Sequence, residues 1–116
     1  MAQSMIGWPR MIMSRDPKNN RPAVFVDVDG TLAHWTRKGD KFNVALNYKL
    51  AEQLNDIRNS DSADIILWSR RGGKYAKQIA RQLNVTLLFD AIIGKPTTII
   101  DDEGLGWMKG VRVQKK

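Results

Sequence analysis

Cysteine is absent from the 116-residue chain. Disulfides and thiolate metal centres are therefore excluded, and no disulfide partner is expected. Histidine is scarce: His34 stands alone, which rules out a histidine-rich metal site. Any bound metal would be held by oxygen, which favours a hard cation such as Mg²⁺. Long apolar runs are missing as well. None approaches the ~20 residues needed to span a bilayer, so no membrane partner is expected. Met1 to Trp8 carry no sustained apolar stretch behind a basic start. That predicts no signal peptide and makes the cytoplasm the default location. Acidic side chains are in deficit, with twelve Asp and Glu against nineteen Lys and Arg, a net charge of +7. Such an excess suits an anionic partner, although a merely solvated basic surface has the same composition.

What is present amounts to one domain. A chain of this length hides roughly 65–70% of its unfolded surface, enough for one modest core. Residues 1–21 read as an irregular leader, with Pro9, Pro17 and Asn19-Asn20, and residues 22–116 as the folded domain. Ala23 to Val28 is a continuous, β-rich apolar run, as in a strand covered on both faces. It ends at the turn signal Asp29-Gly30-Thr31. Residues 33–43 are polar and read as a loop or small flap. Val44, Leu46, Leu50, Leu54 and Ile57 then recur at helical steps, with Asn43 as a plausible cap.

Ala63 to Trp68 predicts a second strand, stopping at Ser69-Arg70-Arg71-Gly72-Gly73. A second helix follows, with Tyr75, Ile79 and Leu83 on its apolar stripe. A third strand is expected near Ala91-Ile92-Ile93, and a fourth at Thr97–Ile100, ending in Asp101-Asp102. Leu105 to Met108 could form a helical turn, and Val111 to Val113 a short edge strand. Strands alternating with helices imply an α/β fold, with a mostly parallel sheet of about five strands and helices on both faces. Ligands of such sheets bind beyond the carboxyl ends of the strands. Asp27, Asp29, Ser69, Lys95, Asp101 and Asp102 all fall at or just past predicted strand ends.

If the four aspartates converge, they repel. Two like charges ~4 Å apart cost roughly 4 kcal/mol at an effective dielectric near 20. A divalent cation relieves that conflict, and oxygen ligation favours Mg²⁺. The ion also lets an anionic nucleophile approach an anionic phosphate. Asp can attack phosphorus to give an aspartyl-phosphate. Asp29, two residues on, can protonate the leaving oxygen and later activate water. Gly30 permits a tight turn whose amide can face a phosphate oxygen. Ser69 can donate to the phosphoryl group, and Lys95 supplies a point charge. Each residue also has a plainer reading: Asp27 as a turn carboxylate, Ser69 as a helix cap, Lys95 as a solvated loop lysine, Arg70 and Arg71 as a charged helix start.

These motifs resemble the haloacid dehalogenase-like superfamily of phosphohydrolases. The resemblance covers residues 22–113 and rests on four segments in order. They are Asp27-Val28-Asp29-Gly30-Thr31-Leu32, Ser69 after Ile65-Ile66-Leu67-Trp68, Lys95 in Gly94-Lys95-Pro96, and Asp101-Asp102 after Thr98-Ile99-Ile100. It implies a Rossmann-like three-layer sandwich. Asp27 is then the nucleophile, Asp29 the general acid/base, and Ser69 and Lys95 the grip on the phosphoryl group, with Thr31 supporting the turn. It also implies Mg²⁺ held by Asp27, Asp102 and the main-chain carbonyl of Asp29, with Asp101 assisting. Neither gap between the motifs leaves room for a cap domain, so the site is expected to be open. Ser69-Arg70-Arg71 is similar to the Ser-Gly-Arg of the phosphatase part of phage polynucleotide kinase–phosphatases, with Arg71 matching the arginine.

The expected partner is thus a phosphorylated substrate, with nucleic-acid ends or nucleotides favoured by charge. Arg70, Arg71, Lys74, Lys77 and Arg81 follow the second motif without an intervening acid, and Arg37, Lys38 and Lys41 lie in the flap. Such a ring suits a polyanion, and Trp35 can stack on a base. A short basic chain of this kind also suits a bacteriophage product acting in the host cytoplasm. A non-catalytic module that keeps the metal pocket, and a phosphotransferase passing the phosphoryl group to another acceptor, stay open as alternatives.

Overall fold

In a computed structural model of the chain, residues 21–104 and Met108 are described. The leader expected over 1–21 (Arg21 aside) and the edge strand expected at 111–113 lie outside them, as does most of the helical turn expected at 105–108.

The first strand, β1 (Ala23–Asp27), pairs in parallel with β4 (Asp64–Ser69), which pairs in parallel with β5 (Ala91–Gly94). The order β1-β4-β5 puts Asp27, Ser69 and Gly94 at the same end of a three-stranded sheet. Strand alternation splits the sheet into two faces. Val26, Ile65 and Leu67 belong to the buried core, together with Leu50 and Leu54 of α1 (Tyr48–Ser60) and Ala76, Ile79 and Ala80 of α2 (Gly73–Gln82). Phe25, Ile66, Trp68 and Ile93 alternate with them and remain exposed or half-buried. Both helices therefore pack on one face, where helices on both faces were expected from the strand–helix alternation.

The polar stretch after the first motif is an antiparallel hairpin, β2 (Ala33–Lys38) and β3 (Lys41–Leu46), rather than a loop. Gly39 opens its two-residue turn at φ +63°, the backbone that a tight hairpin asks of glycine. Val44 and Leu46 lie on β3 and not on the first helix. Their spacing satisfies a strand's period of two as well as part of a helical step, and pairing with Trp35 and Ala33 selects the strand. The helix starts instead at Tyr48, capped by Asn47, whose side chain accepts from the Leu50 amide at 3.2 Å.

Thr97–Ile100 forms no strand; Ile99 is 52% and Ile100 96% exposed. The chain length explains this. Only Lys95 and Pro96 separate the segment from β5. Two residues reach at most ~7 Å, whereas a four-residue strand running parallel must begin about 13 Å back along the sheet. A parallel partner needs a crossover of a dozen or more residues. The result is an α/β protein with a three-stranded parallel sheet and a small antiparallel hairpin. Among the described residues, no helix is long and apolar enough to cross a membrane.

Candidate active site

The rim at the carboxyl ends of β1 and β4 is built by two turns. After Asp27 the chain curls back through Val28–Leu32. The Leu32 amide donates to the Asp27 carbonyl at 3.2 Å and the Ala33 amide to the Val28 carbonyl at 2.9 Å. Val28 and Leu32 are fully buried and pin this loop to the core. Gly30 sits at φ +82° and its amide donates to the Ala33 carbonyl at 2.9 Å, so that N–H serves the turn and not an incoming phosphate. The second turn follows β4. The Ser69 carbonyl accepts from the amides of Gly72 at 3.1 Å and Lys95 at 2.9 Å, tying the start of α2 and the end of β5 to one point.

Lys95 Nζ lies 3.0 Å from Asp27 Oδ1. The other oxygen of Asp27 accepts a long hydrogen bond, 3.4 Å, from the Thr31 hydroxyl. Both members of the ion pair are partly open to solvent. Lys95 also stands 5.6 Å from the centre of the Trp68 ring, which is tilted against Phe25 at 4.5 Å.

Asp29 is more heavily engaged. Its Oδ1 accepts from the Trp35 indole at 2.9 Å and from the Tyr75 hydroxyl at 2.6 Å. Its Oδ2 faces the Arg71 guanidinium at 3.8 Å. Arg71 in turn lies 4.0 Å over the Tyr75 ring. Burial, then the hydrogen bond and the charge of Asp29, push the Tyr75 phenol above its ordinary value, so it is a donor at neutral pH.

The expected residues are distributed as follows. Asp27, Thr31 and Lys95 form one contact group, and Asp29 and Arg71 belong to a second. Ser69 is buried, and its hydroxyl accepts from the Arg71 amide at 3.0 Å, as a turn cap does. That bond leaves the hydroxyl proton to another acceptor. Arg70 is exposed on the same turn. Asp101 and Asp102 are exposed, and Asp101 Oδ1 accepts from the Glu103 amide at 2.8 Å. Among the described residues, no three acids or histidines stand together as a metal-holding group. The four-aspartate Mg²⁺ site expected from the sequence is thus not assembled among the described residues.

Tyr75 is the site residue that sequence reasoning missed. It reads as one member of a core stripe with Ile79 and Leu83, and it does pack on the core. Its hydroxyl nevertheless extends past that core to the rim. The available signal was its place in the first turn of a helix that begins just after Ser69.

No family model, characterised protein or solved structure matches this chain.

Proposed function

We propose that this protein hydrolyses phosphate monoesters through an aspartyl-phosphate on Asp27. The observation that carries the reading is the Asp27–Lys95 contact of 3.0 Å at the carboxyl end of a parallel sheet, with Asp29 two residues further on. A half-open ion pair adds little stability, so a purely structural purpose explains it poorly. A lysine beside a carboxylate is suited to receive the phosphoryl group that the carboxylate attacks.

In the first step Asp27 Oδ2, whose one hydrogen bond among the described residues is the long Thr31 bond, forms a bond to phosphorus. The ester P–O bond breaks, and Asp29 gives its proton to the departing alcohol. In the second step Asp29 takes a proton from water as the water oxygen bonds to phosphorus. The acyl-phosphate P–O bond breaks, which restores Asp27 and frees inorganic phosphate. Lys95 and Arg71 offset charge on the phosphoryl oxygens, with Ser69 and Arg70 as further candidate contacts. In the same reading Asp27 and the Asp29 carbonyl would hold Mg²⁺, which would offset charge on the phosphoryl group. Asp101 and Asp102 do not join them in the arrangement described, so no step above is routed through the ion. The fourth parallel strand of a five-stranded Rossmann-like sandwich is likewise not required.

Nucleic-acid ends or nucleotides are the proposed substrates. Arg37, Lys38, Lys41, Arg70, Arg71, Lys74, Lys77 and Arg81 are all exposed and supply the charge for a polyanion. The test is phosphate release from an aryl phosphate, 3′- and 5′-phosphorylated oligonucleotides and free nucleotides, run beside Asp27→Asn. Release that the substitution abolishes is expected. Equal turnover by both proteins would remove Asp27 as nucleophile.

A further inference from the structure

We infer that Trp35 and Tyr75 are positioning residues for Asp29, and that they assign its proton transfer to the Oδ2 oxygen. The inference rests on the reading of Asp29 as the general acid/base. Two donors from separate elements converge on one atom: the indole of β2 and the phenol of α2 both bond Oδ1, at 2.9 and 2.6 Å. A carboxylate oxygen offers two lone pairs. Oδ1 is thus filled, and the group can no longer rotate to exchange its oxygens without breaking both bonds. Oδ2 is left facing the Arg71 guanidinium at 3.8 Å, a separation too long for a hydrogen bond.

The donors are themselves held. Trp35 is fixed by the hairpin, where it pairs with Val44. Tyr75 is packed on the core and covered by Arg71. Trp35 is 37% exposed, so water could have satisfied its N–H equally well. Its bond to Asp29 therefore places the flap against the loop that carries both aspartates. This use of Trp35 differs from the base-stacking platform suggested by its place in the sequence.

The chemistry supplies a selective test. An alkyl phosphate needs a proton on its leaving oxygen, while a nitrophenyl phosphate releases nitrophenolate, a stable anion that needs none. Loss of acid positioning must slow the first far more than the second, whereas general damage slows both. Trp35→Phe, which keeps an aromatic ring without the N–H, and Tyr75→Phe, which removes only the hydroxyl, are made separately, and kcat/KM is measured on both esters. Each variant is expected to lose about tenfold on the alkyl ester and stay within about twofold on the nitrophenyl ester, the scale of one hydrogen bond to a charged group. Equal losses on both esters, or none on either, would overturn the positioning role. An unmodified protein that releases phosphate from neither ester would overturn the hydrolase reading itself, and the positioning role with it. The two failures are told apart by the unmodified arm.

Discussion

Lys95 reaches Asp27 across an intervening strand. β1 and β5 do not pair with each other; β4 lies between them, and the lysine spans it above Trp68 to bring Nζ within 3.0 Å of Oδ1. The contact costs a long side chain its freedom for an exposed ion pair worth about 0–1 kcal/mol. Lys95→Met, which keeps the length and removes the charge, is expected to shift the denaturation midpoint very little. Turnover should fall by about 10²–10³, as when a stabilising donor is removed from a transition state. Thermal melting and phosphate-release rates on one preparation check both parts. A large loss of stability with unchanged turnover would reverse the assignment.

Gly73 and Gly94 let α2 and β5 touch through their backbones. A Cβ on Gly73 would stand 3.3 Å from the Gly94 nitrogen and from Ile93 Cα, and neither is the movable tip of a side chain. Gly73→Ala is expected to destabilise by about 1–3 kcal/mol, the usual cost of overpacking. It should also lower turnover, because the displaced strand end is the one that carries Lys95. Urea denaturation and kinetics of this variant give the two numbers.

Asp90 predicts an acid-sensitive limb of stability. Burial alone would raise its pKa, but the Ile65 amide at 2.7 Å and the Arg58 guanidinium at 3.1 Å outweigh burial and hold it below the usual carboxylate range. A depressed folded value means that the stabilisation is present above the unfolded pKa, near 3.9, and is lost as pH falls through the lower folded value. The half-open position of the group limits the size of the effect. Denaturant midpoints measured from neutral pH downward should decline less steeply in Asp90→Asn than in the unmodified chain.

Mg²⁺ dependence separates the acidic segments. Phosphate release is expected to stop on chelation and return with added Mg²⁺. Asp102 is exposed, and it does not form a metal-holding group with Asp27 and Asp29 among the described residues. Asp102→Asn is accordingly expected to leave the Mg²⁺ concentration for half-maximal rate unchanged. A marked rise in that concentration would mean that the 97–102 segment folds onto the rim when the ion binds.

The elements readable from the sequence are those whose burial leaves a mark. β1 and β4 are apolar runs that end at Asp27 and Ser69, and α2 is legible from Tyr75, Ile79 and Leu83, of which Ile79 is buried with Ala76 and Ala80 while the other two pack half-buried against the core. The hairpin was hidden because most of its strand positions are exposed, and because Val44 and Leu46, part of the period-two pattern in β3, also fit a helical spacing with Leu50. Thr97–Ile100 misleads in the opposite direction. It has the composition of a strand but too short a lead from β5 to run beside the others. The donors on Asp29 were illegible for a third reason. Trp35 and Tyr75 meet there only because a hairpin and a helix 40 residues apart close on one loop.

Asn47 serves two masters. Its side-chain oxygen caps α1, its side-chain amide donates to the Thr31 carbonyl at 3.0 Å, and its main-chain amide bonds the Leu32 carbonyl at 2.8 Å. The residue that joins the hairpin to the first helix is therefore also the seam between that helix and the aspartate loop. Replacing it should unfasten both at once, so heat resistance and catalytic rate at this position will decline as one property.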